Sequence, residues 1–147
     1  MKKMKEFRKI SVIGLGLIAS SICLTLRQKD PTIKLVGYDK DEVVRNRAKK
    51  IGLCKIENNL DNAVSGSQLI ILCVPVGQMQ AVTQRLKKVV EPGTTITDVG
   101  SVKLSVIEEI ESNIESVGGK YVPSHPLSLI HISEPTRLLS ISVGRVW

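Results

Sequence analysis

Short, wholly apolar runs alternate along this chain with longer segments in which apolar residues recur at intervals of three or four. The short runs predict strands and the longer segments predict amphipathic helices. The predicted strands are 9–13, 33–39, 69–74, 94–99 and 120–125, and a glycine turn at 14–16 directly follows the first of them. The predicted helices are 17–29, 41–52, 78–90 and 103–118. Strands that are apolar throughout are typical of a parallel sheet covered on both faces, so the pattern predicts an α/β fold with a doubly wound, mostly parallel sheet.

The spacing of the apolar residues also predicts which side of each helix faces the sheet. In the first predicted helix, Ile18, Ile22 and Leu26 lie four residues apart and are expected to point inward. Two other helices have a clear inward set, namely Met79, Val82, Leu86 and Val89, and Leu104, Ile107, Ile110, Ile114 and Val117. The helix at 41–52 has acids at the start of its first turn, where the helix dipole favours them, and a glycine at its end.

The composition is that of one ordinary globular domain and argues against nucleic acid as a partner. The chain has 147 residues, of which 42% are hydrophobic and 24% charged, and a net charge of +7. Much of that charge lies in the first nine residues, which we interpret as a solvated basic arm. Proteins that stack nucleic-acid bases need aromatic residues among their basic ones, and aromatic residues make up only 3% of this chain.

Three widely spaced cysteines, Cys23, Cys54 and Cys73, lie among apolar neighbours without the spacing of a metal site or a disulfide framework. We expect reduced thiols, a reducing compartment and hence a cytoplasmic protein. The basic N-terminus followed by residues 11–26 resembles a signal peptide, but the glycine spacing favours a strand, a tight turn and a helix. No segment is long enough to predict a membrane span, so we expect no membrane partner.

The turn between the first strand and the first helix contains the pattern G-x-G-x-x-A, formed by Gly14, Gly16 and Ala19. The first glycine permits a tight turn, the second lets a pyrophosphate approach the backbone, and the small third residue lets helix and strand pack closely. The first helical residues, Leu17 and Ile18 with Ala19, would turn their free N–H groups toward the phosphates.

An acid stands where such a site needs one. Asp39 follows Ala19 by 20 residues, at the end of the second predicted strand, where a carboxylate can accept hydrogen bonds from both adenosine ribose hydroxyls. A plain α/β turn with a surface aspartate is the alternative. Because a carboxylate repels a 2′-phosphate, we predict NAD as the cofactor. Lys40 follows directly and would soften that repulsion, so NADP stays possible.

A second group of candidate residues ends the later strands. Cys73, Val74 and Pro75 close the apolar strand at 69–74, and strand carboxyl ends line the ligand crevice of doubly wound folds, so we expect them beside the cofactor. Ser101 follows the strand at 94–99 and is either a simple N-cap or a site residue. His125 ends the last predicted strand on the same edge and is a plausible acid–base group near neutral pH.

These segments together resemble the prephenate/arogenate dehydrogenase family of tyrosine biosynthesis. The resemblance covers roughly residues 8–126 and rests on KISVIGLGLIASS, YDKD, CVPV, TDVGSVK and SHP in the same order and spacing. It implies a Rossmann-type NAD(P)-binding domain of an enzyme that oxidises the ring carbinol of prephenate or arogenate, with decarboxylation. It also implies that His125 hydrogen-bonds the substrate hydroxyl and assists its deprotonation, and that Ser101 lies beside the nicotinamide and that histidine.

The sequence departs from the family in two places. Ala19 stands where the family usually has glycine, which is a tolerated change. After His125-Pro126 the family continues into a mostly helical domain that supplies the homodimer interface and a substrate-binding arginine, and we expect that domain to be missing here. The choice between prephenate and arogenate then cannot be read from this sequence.

Residues 127–147 follow neither a helix period nor a strand period, and Pro135 interrupts them. Leu127 to Arg137 resembles the translation of a transposon-end adapter used in short-read library preparation. We therefore predict a domain at 1–126 and a non-native tail at 127–147, in which His131 is no ligand. We expect such a chain to bind cofactor without turnover. The rival functions are another small-substrate dehydrogenase, of hydroxy-acid or imine reductase type, and a nucleotide-binding module without chemistry.

Overall fold

The computed structural model of the chain describes residues 7–99 and 104–123. Within them, six strands form one sheet in the order β3-β2-β1-β4-β5-β6, and every neighbouring pair is parallel. The strands are β1 Lys9–Ile13, β2 Lys34–Tyr38, β3 Lys55–Ile56, β4 Leu69–Leu72, β5 Thr95–Asp98 and β6 Lys120–Val122. The parallel sheet predicted from the apolar runs is confirmed.

Helices cover both faces of this sheet. They are α1 Leu17–Lys29, α2 Glu42–Lys50, α3 Leu60–Val64, α4 Met79–Val89 and α5 Leu104–Glu115. A short 3₁₀ turn at Val76–Gln78 precedes α4. One core cluster joins α1 and α2 to the sheet, and a second joins α3, α4 and α5 to it. The fold is therefore the doubly wound α/β fold that the strand–helix alternation predicts.

The direction of strand order reverses between β1 and β4, and this reversal positions the site. From β1 the chain adds β2 and β3 on one side, then returns to add β4, β5 and β6 on the other. Ile13, the last residue of β1, is in register with Tyr38 of β2 and with Leu72 of β4. Three strand ends thus lie level at one edge, where open α/β sheets bind their ligands.

The sequence-based prediction that Ile18 and Leu104 point inward is wrong. Ile18 is 43% exposed and Leu104 is 70% exposed, whereas the other predicted inward residues of their helices are buried or half-buried. At about 100° per residue, each of the two lies roughly 90° from the centre of its helix's buried face, because a fixed spacing of three or four residues drifts around a helix. The buried face of α1 instead consists of Ala19, Ile22, Cys23 and Leu26.

Two searches of the described residues gave negative results. No helix within 7–99 or 104–123 combines the length and the apolar character that crossing a bilayer requires. In the same ranges, no group of three or more histidine, cysteine, aspartate or glutamate side chains is arranged to hold a metal ion.

Candidate functional site

The turn after β1 needs glycine at its first position for two separate reasons. Gly14 has φ +92°, a conformation that side chains with a Cβ rarely adopt. A Cβ at Gly14 would also lie 2.7 Å from the carbonyl oxygen of Cys73, far inside van der Waals contact. The Gly14 N–H donates to the carbonyl of Tyr38 at 2.8 Å. The turn is thus held between the ends of β2 and β4.

The second glycine of the turn has no such packing constraint. Gly16 has φ −83°, and a Cβ built on it would meet no atom of residues 7–99 or 104–123 within 4 Å. The first intrahelical hydrogen bond of α1 runs from the Ser20 N–H to the Gly16 carbonyl, so the helical amides before Ser20 have no intrahelical acceptor. Neither the backbone conformation nor the neighbouring atoms of the described residues require a glycine here, and the open space leaves these amides accessible to a ligand.

The third position of the turn fits its predicted role in packing. Ala19 is 1% exposed and belongs to the core cluster between α1 and the sheet. The side chains of Leu17 and Ile18 face outward, with Leu17 90% exposed. These three residues, which the sequence placed beside a cofactor, contribute the backbone amides of the first turn of α1.

The carboxylate of Asp39 bridges two segments at the open end of β2. Its Oδ2 accepts from the Leu15 N–H at 2.9 Å, and its Oδ1 accepts from the Asp41 N–H at 2.9 Å. A carboxylate offers about four acceptor positions, so these two hydrogen bonds leave about two for a ligand. The acid that the sequence singled out is therefore fixed in place and still able to accept hydrogen bonds from a pair of hydroxyls.

A cleft of about 390 Å³ lies at this edge of the sheet. Seven of the residues predicted from the sequence line it, namely Gly14, Gly16, Asp39, Lys40, Cys73, Val74 and Pro75. The sequence did not predict as site residues several further lining residues, including Tyr38, Val44, Leu60, Gln78 and Val82. A larger hollow of about 510 Å³ lies beside α1, lined by Arg27, Ile33 and Cys54 among others, and it contains none of the predicted site residues. We place the site in the smaller cleft because the strand ends and the glycine turn meet there.

Sequence reasoning also missed Arg45, which lies behind the loop that follows β2. Its Nη1 donates to the carbonyl of Asp39 at 2.8 Å and to that of Lys40 at 3.2 Å. Its guanidinium carbon lies 5.8 Å from the centre of the Tyr38 ring. The periodicity of α2 gives no signal for this residue, because its partners are backbone carbonyls brought near by the fold.

The carboxyl ends of β5 and β6 are joined by two side-chain hydrogen bonds. The Tyr121 hydroxyl donates to Asp98 Oδ2, and the Thr97 hydroxyl donates to the carbonyl of Val122. Burial, together with the charge of Asp98, raises the pKa of Tyr121. Burial and the same carboxylate raise the pKa of Cys73, in the cleft wall, to about 12.

The predicted catalytic residues follow these two strands. Ser101 comes three residues after Asp98, and His125 comes three residues after Val122, and both lie outside the described residues. Their placement at the cleft stays a prediction.

Comparison with known proteins identifies the family. Residues 22–131 match the family described as prephenate dehydrogenase, nucleotide-binding domain. The cyclohexadienyl dehydrogenase of Zymomonas mobilis is 37% identical over 126 residues, which cover 85% of this chain and 42% of that protein. The prephenate dehydrogenase of Lactococcus lactis is 34% identical over 131 residues, which cover 86% of this chain and 36% of that protein.

A solved structure shows the same fold. The prephenate dehydrogenase from A. aeolicus, in complex with hydroxyphenyl propionate and NAD⁺, superposes with a TM-score of 0.71 at 22% identity, covering 82% of this chain and 42% of that one. The chain spans about two fifths of the length of the curated relatives it matches. It belongs to the prephenate dehydrogenase family and matches the nucleotide-binding domain of that family.

Proposed function

We propose that this domain binds NAD in the cleft at the carboxyl ends of β1, β2 and β4. The observation that carries the proposal is the Asp39 carboxylate, which is held by two backbone amides and keeps acceptor positions for the two adenosine ribose hydroxyls. The space beside Gly16 and the free amides at the start of α1 suit a pyrophosphate. The residues present therefore fit this cofactor.

The proposal distinguishes NAD from NADP by charge. A 2′-phosphate would lie against the Asp39 carboxylate, and two negative charges at that distance repel each other. Lys40 is exposed and lines the same cleft, so it offsets part of that repulsion. We expect NAD to bind more tightly, without complete exclusion of NADP.

The reaction we propose for the whole protein is the oxidation of a ring carbinol, with prephenate or arogenate as substrate. NAD supplies the hydride acceptor when it is bound. His125, as a neutral imidazole, accepts the hydrogen bond of the substrate hydroxyl and takes its proton, which makes hydride departure easier. Ser101 orients that histidine and the substrate. The family assignment supports these roles, as does the position of both residues just beyond β5 and β6.

We also propose a homodimer formed through a C-terminal domain, as the family resemblance implies, and a cytoplasmic location. The location is supported by three free cysteines, which are common in proteins of reducing compartments.

The cofactor proposal is tested by calorimetric titration of the chain with NAD and with NADP. We expect a lower Kd for NAD, and we expect Asp39→Ala to narrow the difference, because a hydrogen bond to a charged acceptor contributes about 1.5–3 kcal/mol. Equal or reversed affinities for the two cofactors would contradict the assignment of Asp39. No binding of either cofactor would contradict the proposed function itself.

The catalytic proposal needs a homologous protein in which the residues aligned with His125 and Ser101 are followed by the family's C-terminal domain. Replacing the aligned histidine with asparagine should lower kcat by about 10²–10⁴-fold while changing KM much less. An unchanged kcat would remove His125 from the mechanism.

A further inference from the structure

We propose that Arg45 is a positioning residue for the ribose acceptor Asp39, and that it sets the affinity for NAD without touching the cofactor. This inference rests on the proposed function of the cleft. Arg45 does not line the cleft, although its neighbour Val44 does. It acts instead on the backbone that carries Asp39.

The carbonyl groups at the end of β2 show how much of this loop depends on Arg45. The next strand and the turn satisfy the first two, because the Glu57 N–H donates to Gly37 and the Gly14 N–H donates to Tyr38. The next two carbonyls, those of Asp39 and Lys40, both accept from Arg45 Nη1. The Asp41 carbonyl accepts the first intrahelical hydrogen bond of α2, from the backbone N–H of residue 45 at 3.0 Å, and so does not depend on the Arg45 side chain.

Burial and the ring of Tyr38 hold the guanidinium of Arg45 next to the two carbonyls that it bonds. The side chain of Arg45 is 13% exposed, and the guanidinium lies over the ring of Tyr38. Its Nη2 lies 4.0 Å from the largely exposed carboxylate of Glu42, which is at the limit of an ion pair and adds little. Its Nε is buried without a hydrogen-bond partner among the described residues. The contacts that position the guanidinium are therefore the two carbonyls and the ring.

These contacts reach the ligand through the carboxylate of Asp39. Because the directions of Asp39 Oδ1 and Oδ2 follow from the backbone at 39–41, releasing the two carbonyls frees that backbone to move. The hydrogen bonds from Leu15 and Asp41 to the carboxylate would then lose their alignment, and so would the acceptor positions left for the ribose. A lysine could bond one or both carbonyls through its ammonium, but it has no planar group to stack on the Tyr38 ring, so it would keep only part of the contact.

The test is calorimetric titration of NAD and NADP into wild type, Arg45→Met, Arg45→Lys and Lys50→Met. Lys50 is exposed at the other end of α2, so its substitution matches the loss of charge without touching the loop. We expect the Kd for NAD to rise about fivefold to twentyfold in Arg45→Met and less in Arg45→Lys, as loss of one or two hydrogen bonds implies. Lys50→Met should stay within about twofold of wild type.

Two further readouts separate positioning from general stability. First, the preference for NAD over NADP should fall in Arg45→Met, whereas a variant that is merely less stable would bind both cofactors less well in proportion. Second, the double variant Asp39→Asn/Arg45→Met should bind NAD with a Kd within about twofold of that of Asp39→Asn alone, because the two residues act through one contact. Thermal melts identify any variant that does not fold, and Arg45→Lys then carries the comparison.

The outcomes are distinguishable. If wild type binds NAD and both Arg45 variants bind it with an unchanged Kd and an unchanged preference over NADP, Arg45 is no positioning residue and the proposed function stands. Equal losses in Arg45→Met and Lys50→Met would assign the effect to net charge and also overturn the inference. If wild type binds no NAD, the proposed function fails and the inference fails with it.

Discussion

The N–H of Leu15 donates to the carboxylate of Asp39 at 2.9 Å, so the glycine turn and the loop after β2 are joined by a hydrogen bond within the chain itself. The other carboxylate oxygen accepts from the N–H of Asp41, which is the N-cap of α2. One side chain therefore connects the turn after β1, the end of β2 and the start of α2. The proposed ribose acceptor is also part of the framework that supports the cleft.

This double role predicts that Asp39→Ala destabilises the protein even without ligand. The substitution leaves the amides of Leu15 and Asp41 without their acceptor, which costs about 1–3 kcal/mol where water does not replace it fully. Urea unfolding of the ligand-free protein measures the loss, with Lys40→Ala as an exposed control. An unchanged free energy of unfolding would show that water satisfies both amides. The drop in NAD affinity would then report ligand contacts alone.

The two glycines of the turn are predicted to respond differently to alanine. Gly14→Ala forces a positive φ on a residue with a Cβ and drives that Cβ against the carbonyl of Cys73, so it should destabilise the fold by at least about 2 kcal/mol. The new Cβ of Gly16→Ala meets no atom of the part of the chain that the structure describes, so the free energy of unfolding of this variant should stay within about 0.5 kcal/mol of wild type. Its affinity for NAD should nevertheless fall, because the new methyl group occupies the space proposed for pyrophosphate.

Thermal melts and NAD titrations of the same two variants check this pair. Loss of stability without loss of affinity in Gly16→Ala would mean that the glycine serves the fold. The open space beside it would then need another explanation.

Alkaline pH should weaken the join between β5 and β6. Burial, aided by the charge of Asp98, raises the pKa of Tyr121 above its ordinary value of 10.0, so folding favours the neutral phenol. The stability this provides is complete below pH 10. It is lost as the pH rises further, because the unfolded chain then ionises and the folded chain does not. One such group changes the free energy of unfolding by about 1.4 kcal/mol per pH unit.

The matched variant is Tyr121→Phe, which keeps the ring and removes the proton. It should be less stable than wild type at neutral pH, because Asp98 loses a donor, and it should lose stability less steeply above pH 10. Denaturant unfolding at several alkaline pH values gives both slopes. Parallel slopes for the two proteins would contradict the pKa shift.

The three cysteines should differ in reactivity. The neighbouring Cys23 thiol lowers the pKa of Cys54, burial opposes this shift in part, and the charge of Arg27 lowers the pKa further. Cys23 is buried and its pKa is raised, and the pKa of Cys73 is raised as well. Since the thiolate is the reacting form, iodoacetamide near neutral pH should label Cys54 first. Mass mapping of labelled peptides checks the order, with Cys54→Ser as control, and first labelling at Cys73 would contradict it.

The predicted domain boundary can be tested with two shortened chains. We expect a chain ending at Pro126 to melt within about 2 °C of the full chain and to be more soluble, because residues 127–147 lack the apolar periodicity of packed elements. The family match reaches residue 131, so a chain ending there is the comparison. A melting temperature that falls for the chain ending at 126 but not for the chain ending at 131 would move the boundary to 131. A fall in both would show that the whole tail packs.

The long apolar segments of the sequence predicted most of the fold, whereas its shortest elements gave no periodic signal. Strand β3 has two residues and helix α3 has five, too few for any period to appear. The start of α3 did carry a local signal, since the side chain of Asn59 caps it by accepting from the Asn62 N–H. The errors at Ile18 and Leu104 came from counting residue spacing instead of following the helical angle.

The candidate site likewise contains residues that the sequence could predict and one that it could not. Gly14, Gly16 and Asp39 could be identified because each has a local requirement that a motif expresses, such as a tight turn or an acid after β2. Arg45 could not, because its contacts are with carbonyls that only the folded chain brings within reach of its guanidinium.

The parts proposed to recognise the adenosine ribose lie close together in sequence as well as in space. They begin at Leu15, include Asp39 and Lys40, and end at Arg45, and they are carried by consecutive elements on one side of the sheet. The proposed catalytic residues, Ser101 and His125, follow β5 and β6 in the sequence. Under these proposals, cofactor preference and chemistry are encoded in separate stretches of the gene, so exchanging a single segment of about thirty codons should transfer the cofactor preference and leave the chemistry unchanged.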